Sequence, residues 1–311
     1  MKTIVVGTRQ SALALTQTNQ TIDRLREIAE EQGIACRFEL KKIVTKGDQI
    51  VDVTLSKVGG KGLFVKEIEE ALLSGDIDMA VHSMKDMPAE LPPGLVIGAV
   101  PKREDPRDCL IMTGYRTLAE LPQGAKVGTS SLRRACQLKA LRPDLAIESI
   151  RGNIDTRLRK LETEGFDAIL LAAAGLHRIG WSDRITVYLP PADCLPAVGQ
   201  GALGIECREN DPFMRDLLER FNDAETALCV AAERSFLRRL NGGCQVPIGA
   251  FAQLEETSPA RLVLDGMVGE PDGGELLRDR IDGDDPVRLG EQLAERLIAR
   301  GADRILAEVR G

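Results

Sequence analysis

Short apolar runs alternate with amphipathic helical stretches through the first two-thirds of this chain, and that alternation restricts it to an α/β architecture. Residues 3–7 read as a strand. Residues 12–32 read as a helix, because Leu13, Leu15, Ile22, Leu25 and Ile28 fall mostly on one face and Gly33 stops it. Residues 35–44 predict a second strand, 63–73 a helix ended by Gly75, and 77–81 and 95–100 further strands. The polar, proline-bounded break Pro101-Lys102-Arg103-Glu104-Asp105-Pro106 reads as a hinge. A second α/β unit runs from Leu110 to about Tyr188, with strands at 126–128, 146–150 and 168–171 and helices starting near Ser130 and Asn153. Another proline-rich crossing follows at Leu189-Pro190-Pro191. The last third has a helix over 224–240, strands over 246–254, 261–268 and 276–281, and a helix over 287–300, the pattern of a small α+β domain.

A chain of 311 residues exceeds one small core, so two or three domains are expected. The net charge of −7 and an aromatic content of 3% argue against nucleic-acid binding, which favours basic surfaces and stacking rings. The most apolar stretch, 168–176, is too short to span a bilayer, and the N-terminus runs into a strand-like segment rather than an export signal. A cytoplasmic protein without membrane contact is expected, and nothing demands more than a monomer. The seven cysteines, Cys36, Cys109, Cys136, Cys194, Cys207, Cys229 and Cys244, are scattered and contain no CxxC, so neither a disulfide framework nor structural zinc is expected. With only His82 and His177, a multi-histidine metal centre is nearly excluded.

Arginines cluster where strands end. In Lys126-Val127-Gly128-Thr129-Ser130-Ser131-Leu132-Arg133-Arg134 a strand gives way through a hydroxyl-rich turn to a helix, whose free N–H groups and two arginines suit a carboxylate or phosphate. A hydroxyl N-cap with two solvated arginines is the alternative. Ser149-Ile150-Arg151-Gly152-Asn153, with Arg157 one turn on, and Thr8-Arg9-Gln10-Ser11 repeat the arrangement. Three such strand ends predict a ligand with several anionic groups. Val58-Gly59-Gly60-Lys61-Gly62 lacks the phosphate-loop spacing and reads as a mobile loop whose Lys57 and Lys61 reach anions. Gly199-Gln200-Gly201-Ala202-Leu203-Gly204 matches GxGxxG literally but precedes a strand, so it reads as a crossing and not a dinucleotide site.

Two segments carry reactive groups. Asp86, in His82-Ser83-Met84-Lys85-Asp86-Met87-Pro88, follows a strand and precedes a Met-Pro step, which predicts a loop. It is either a carboxylate that holds a cationic intermediate or a structural partner of Lys85. His82 reads as a packed or hydrogen-bonded strand residue. In Asn241-Gly242-Gly243-Cys244-Gln245-Val246-Pro247 the glycines allow a tight loop presenting Cys244, whose reactivity is open.

Together with Arg103-Glu104-Asp105-Pro106-Arg107-Asp108 and residues 195–201, these segments occur in one order over nearly the whole chain, and in that order the sequence resembles the porphobilinogen deaminase family. The resemblance implies two periplasmic-binding-protein-like α/β lobes plus a small α+β C-terminal domain: 1–100 with 200–219, then 105–194, then 222–311 carrying the cofactor cysteine loop. It implies a dipyrromethane cofactor held through a thioether on Cys244, with Ser83, Lys85, Thr129, Ser131, Arg133 and Arg134 holding the cofactor's carboxylates. It implies Arg9, Ser11, Gln17, Arg151, Arg157 and Arg178 as residues for incoming porphobilinogen or the growing chain. Lys57 and Lys61 belong to an active-site loop, and Asp86 is the catalytic residue. The implied activity is a transferase of haem and other tetrapyrrole biosynthesis, which condenses four porphobilinogen molecules with loss of ammonia and releases linear hydroxymethylbilane by hydrolysis. Asn241 and His177 stand where the family often has an acidic residue and a lysine.

A two-lobed anion receptor without catalysis is the other reading of lobes and arginines; it leaves Cys244 unexplained.

Overall fold

The computed structural model describes residues 1–49, 65–243, 246–255 and 261–310. Two compact units emerge, Met1–Glu104 with Ala202–Ala227, and Asp105–Gly201 with Leu228–Gly311.

The first unit is built on a five-stranded sheet. Its strands are β1 (Lys2–Thr8), β2 (Cys36–Lys42), β3 (Met79–Ser83), β4 (Leu95–Ala99) and, much later in the chain, β10 (Leu203–Arg208). The order is β2-β1-β3-β10-β4. β1 pairs parallel with β2 and β3, whereas β10 runs antiparallel to both its neighbours. Helix α1 (Ala12–Glu31) covers one face: Ile22, Leu25 and Ile28 meet Ile4 and Val6 of β1 and Met79 and Val81 of β3. Each such aliphatic side chain contributes roughly 1.5–3 kcal/mol when fully buried. The short helix α2 (Lys66–Leu73) covers the other face with Ile68 and Leu72.

The second unit contains the strands β5 (Asp108–Met112), β6 (Lys126–Gly128), β7 (Ala146–Glu148), β8 (Ala168–Ala172) and β9 (Val187–Leu189), in the order β7-β6-β8-β5-β9. Here β6 is parallel to β7 and β8, and β5 is antiparallel to β8 and β9. Helix α3 (Leu132–Leu141) packs Leu138 against Val127, Leu110 and Leu170. Helix α4 (Ile154–Thr163) packs Leu158 and Leu161 on the opposite face, against Ile169 and Leu171. Helix α5 (Ala173–Arg178) follows β8 without a break. In the first unit, α6 (Pro212–Glu219) starts on the N-cap Asp211 with Pro212 in its first turn.

The last segment adds α7 (Ala224–Arg239) and a meander of β11 (Ile248–Glu255), β12 (Arg261–Gly269) and β13 (Leu276–Gly283), then α8 (Pro286–Ile298) and α9 (Ala302–Arg310). The fold class expected from the sequence, two α/β lobes with a small α+β piece, is the one found. The meander is part of the second compact unit: Cys136 of α3 and Leu195 share a cluster with Met267 of β12.

Several expected boundaries shift. The strand expected over 77–81 is found two residues later, because Asp76 and Ile77 still bond the Ala71 carbonyl at the end of α2. His82 and Ser83 therefore belong to the sheet. Asp86 ends a 3-10 turn, Met84–Asp86, rather than sitting on an open loop. The GxGxxG string opens no helix; Gly199 and Gly201 take φ of 69° and 85°, and β10 begins at Leu203. Lys57 and Lys61 lie outside the described residues, as does the start of the helix expected from residue 63.

Helices α7 and α8 touch through a glycine. A Cβ on Gly290 would stand 2.4 Å from the Ala232 carbonyl oxygen and 2.6 Å from the Phe236 nitrogen. Backbone cannot yield as a side chain can. Gly290→Ala is therefore expected to destabilise the protein by about 1–3 kcal/mol, although alanine is the better helix former. Urea unfolding of the variant against the parent protein measures this.

Candidate active site

In the first unit the end of β1 and the end of β3 open into one cleft, and Arg9, Ser11, Gln17, His82, Ser83 and Asp86 line it. Parallel β1 and β3 deliver their carboxyl ends to the same edge, the usual place for a ligand in such sheets. Ser11 is the N-cap of α1 and accepts from the Ala14 N–H at 3.2 Å. Thr8, fully buried, accepts from the Thr18 hydroxyl at 2.8 Å, which ties the strand end to the helix. Gln17 is buried and donates through Nε2 to the Ser83 hydroxyl at 3.2 Å. Asp86 and Lys85 are both half-buried on the 3-10 turn that follows Ser83.

In the second unit the turn after β6 behaves as its hydroxyls predict. The Thr129 hydroxyl accepts from the Ser131 N–H at 3.2 Å, and the Ser131 hydroxyl accepts from the Arg134 N–H as N-cap of α3. The two arginines depart from both sequence readings, since they are neither solvated nor turned to an open anion site. Arg133 and Arg134 are buried, and both close on Asp108, the fully buried first residue of β5. Arg133 donates to Asp108 Oδ2 at 2.6 Å and to the Leu195 carbonyl at 2.7 Å. Arg134 donates from Nε to Asp108 Oδ1 at 2.9 Å and from a terminal nitrogen to the Leu170 carbonyl at 3.1 Å. Gln200 adds a donor to Oδ1 at 3.0 Å. Burial alone would raise the Asp108 pKa, but the charges of Arg133 and Arg134 outweigh it and hold the carboxyl well below its usual range.

Two other arginines singled out in the sequence, Arg157 and Arg178, bond to backbone carbonyls. Arg157 donates to Gly152 at 2.8 Å, and Arg178 donates to Gly201 at 2.7 Å. Gly152 needs to be glycine, since its φ is 117° and a Cβ would meet Thr156 at 2.5 Å. Arg151 is half-buried just before it. Cys244 lies outside the described residues. On its near side α7 ends in a left-handed residue, but it is Asn241, at φ 49°, and not a glycine. Asparagine tolerates that conformation better than most side chains. Gly242 serves close packing instead, because a Cβ there would meet Leu237 and Ile248 within 2.7 Å.

The sequence reading gave no role to Asp108, Glu206, Glu233 or Gln137. Glu233 is fully buried and accepts from the Gly199 N–H at 2.6 Å and the Ala252 N–H at 2.9 Å, fixing the crossing to the meander. Gln137 brackets Leu195, accepting from its N–H and donating to its carbonyl. An acidic residue set inside an apolar run, as in Asp108-Cys109-Leu110-Ile111-Met112 or Leu203-Gly204-Ile205-Glu206-Cys207, was the available signal.

Residues 4–216 match the family model described as porphobilinogen deaminase, dipyrromethane cofactor binding domain, and residues 227–299 match the one for its C-terminal domain. The chain belongs to the porphobilinogen deaminase family. It is 61% identical to the porphobilinogen deaminase of Paenibacillus macerans, over 96% of this chain and 98% of that one, and 60% identical to that of Brevibacillus brevis, over 98% and 96%. Among solved structures, the methionine-binding protein MetQ is similar with a TM-score of 0.43 and 15% identity, over 75% of this chain and 94% of that one. A periplasmic substrate-binding protein of Coxiella burnetii gives 0.44 and 15%, over 74% and 96%. As a porphobilinogen deaminase family member the chain is a transferase of tetrapyrrole biosynthesis, with porphobilinogen as substrate and a dipyrromethane cofactor. No helix among the described residues is long and apolar enough to cross a membrane.

Asp108→Asn would leave two buried guanidiniums facing a neutral amide. A loss of about 3–5 kcal/mol in unfolding free energy is expected, as for other broken buried pairs. Denaturant unfolding at neutral pH measures it. In the parent protein the same contribution is present above the ordinary aspartate pKa and is lost only as pH falls into strong acid, because the folded carboxyl is depressed.

Proposed function

We propose that Asp86 is the catalytic carboxylate of porphobilinogen condensation and that the cleft around it receives the substrate. One observation carries this reading: Asp86 shares that cleft with Arg9, Ser11, Gln17 and Ser83. Porphobilinogen bears an acetate, a propionate and an aminomethyl arm on one pyrrole. Guanidinium and hydroxyl donors suit the two carboxylates, and Asp86 suits the arm. As the amine departs as ammonia, positive charge spreads over the exposed carbon and the ring nitrogen. A fixed carboxylate stabilises that charge without reorganising. Asp86 also has the chemistry to pass a proton to the leaving amine and to take one from the ring carbon that forms the new bond. Four such additions and a final hydrolysis give linear hydroxymethylbilane.

The residues present fit a polycarboxylate cofactor. Thr129 and Ser131 stand at the N-terminus of α3, and two guanidiniums facing the single carboxylate of Asp108 leave that end positive. In this reading Thr129, Ser131, Ser83 and Lys85 hold the cofactor's carboxylates, while Arg133 and Arg134 act mainly by their field. When bound, dipyrromethane supplies the pyrrole carbon to which substrate units are added. Arg151, Arg157 and Arg178 hold the anionic chain, and Lys57 and Lys61 add positive charge for it. Cys244 is the attachment point. Five of the other thiols are poor nucleophiles: burial pushes Cys109 and Cys136 up to about 12 and Cys207 up to about 11, and it raises Cys194 and Cys36 as well. The meander segment is taken as a third domain for this loop, and the enzyme as a cytoplasmic monomer.

Intact-protein mass spectrometry is expected to find a two-pyrrole adduct on the parent protein and none on Cys244→Ala; an adduct retained in the variant refutes the assignment. Asp86→Asn should bind porphobilinogen yet lose turnover by roughly a hundredfold or more, read by single-turnover ammonia release. Arg151→Leu and Arg157→Leu should accumulate short enzyme-bound chains, which the same mass measurement after substrate addition resolves.

A further inference from the structure

Behind the cleft lies a group of ionisable side chains that the chemistry above does not use. His82, 5% exposed, places Nε2 2.9 Å from Oε2 of Glu206, which is fully buried on β10. The register explains the contact: His82 stands opposite Gly204 and Glu206 opposite Ala80, so the pair is a diagonal one on a single face of the sheet. Glu69 of α2, 8% exposed, interacts with both. Glu69 Oε1 and Glu206 Oε1 are buried and accept no hydrogen bond among the described residues. Buried oxygens without a donor are rare and costly.

Two carboxylates and one imidazole in such a place cannot all be left as they are in water. Burial first, and then the charge of Glu206, push Glu69 up to about 7; His82 pulls the other way and Glu70 adds slightly to the rise. Of the neighbouring groups, β1 and β4 face α2 with uncharged side chains, Glu67 of α2 accepts from the Lys46 N–H, and Arg208 of β10 is held by the Leu72 and Ile77 carbonyls and Asp78.

The group touches the active cleft through one residue. His82 lines it, Ser83 follows directly, and the 3-10 turn after Ser83 ends at Asp86. Met84 of that turn is buried, and its N–H bonds Ala202, just before β10. Strand β10 therefore holds both ends of the segment, through Glu206 at His82 and through Ala202 at Met84.

We propose that His82, Glu206 and Glu69 form a positioning unit, in which the His82–Glu206 hydrogen bond, with Glu69 as its buried neighbour, keeps the His82–Asp86 segment in the geometry that turnover requires. The unit acts on Asp86 through the strand end and makes no contact with the substrate's carboxylates. It is a role for these residues in the known reaction, and it rests on Asp86 being the catalytic group.

The test uses cofactor-loaded enzyme, with loading verified by intact mass. Glu206→Gln keeps the shape and removes the charge opposite His82. Its kcat is expected to fall roughly ten- to a hundredfold, as for a misplaced catalytic group, while KM for porphobilinogen changes less than about twofold. A parent-like kcat, or a loss carried by KM, overturns the proposal. Should Glu206→Gln fail to give folded holoenzyme, His82→Gln carries the same expectation and the same refutation. Glu69→Gln tests the buried Glu69 carboxyl independently of activity. In the parent, a glutamate raised in the folded state contributes stability that is full below about 4.5 and lost as pH rises to about 7. The variant should lose that slope in urea unfolding, and an unchanged slope overturns the place of Glu69 in the unit. If Asp86→Asn itself turns over normally, the catalytic assignment fails instead, and the two failures are distinguishable.

Discussion

The carboxylate of Asp108 sits where no solvent reaches, and two guanidiniums from one helix converge on it. Neither partner is tolerable there alone: an unpaired buried charge costs several kcal/mol. The pair therefore dictates where α3 begins relative to β5. It also fixes the Thr129–Ser131 turn, because Arg134 donates its own N–H to the Ser131 cap while its side chain reaches Asp108. Through Gln200 and the Leu195 carbonyl the same knot reaches the crossing segment. A positive helix end is thus held rigid by residues whose charges are mostly spent on holding it.

Each five-stranded sheet contains one strand that runs against its neighbours on both sides, β10 in the first and β5 in the second. Each of these reversed strands carries a fully buried acid. The acids are answered differently. Asp108 meets two groups that never titrate, and it is locked in one state. Glu206 meets one imidazole and faces a second carboxylate, Glu69, whose proton affinity lies near neutrality. The two lobes share a plan, but the buried acid of the first meets an imidazole where that of the second meets guanidiniums.

Much of the fold is legible in the sequence because periodicity and breakers agree. Helix α1 lies within a residue of its expected limits, with an apolar face and Gly33 to stop it. The strands with a clear apolar run, β4, β6 and β8, are equally plain. Helix α5 is hidden because the apolar run 168–176 covers a strand and a helix with no polar boundary between them. β9 is hidden because three residues before Pro190 are too few to show a period. Ser11, Arg9 and Asp86 of the first unit and Ser131 of the second stand at element ends, where local rules point at them. The partners of Arg133 and Arg134 were not legible, since Asp108 is 25 and 26 residues away in sequence and only the antiparallel return of β5 brings it near. A guanidinium after a hydroxyl cap reads the same whether its carboxylate belongs to a ligand or to the chain's own interior.

The late arrival of β10 has a consequence for the nascent chain on the ribosome. All five strands of the second lobe lie between residues 108 and 189, so that sheet can close as soon as it has emerged. The first lobe cannot, because β10 sits between β3 and β4, and until residues 203–208 are translated those strands have open edges. Of the two five-stranded sheets, the one begun first is thus completed second. During the interval the apolar rows of Met79, Val81, Leu95 and Ala99 lack their central partner, and they are the surfaces a chaperone would meet.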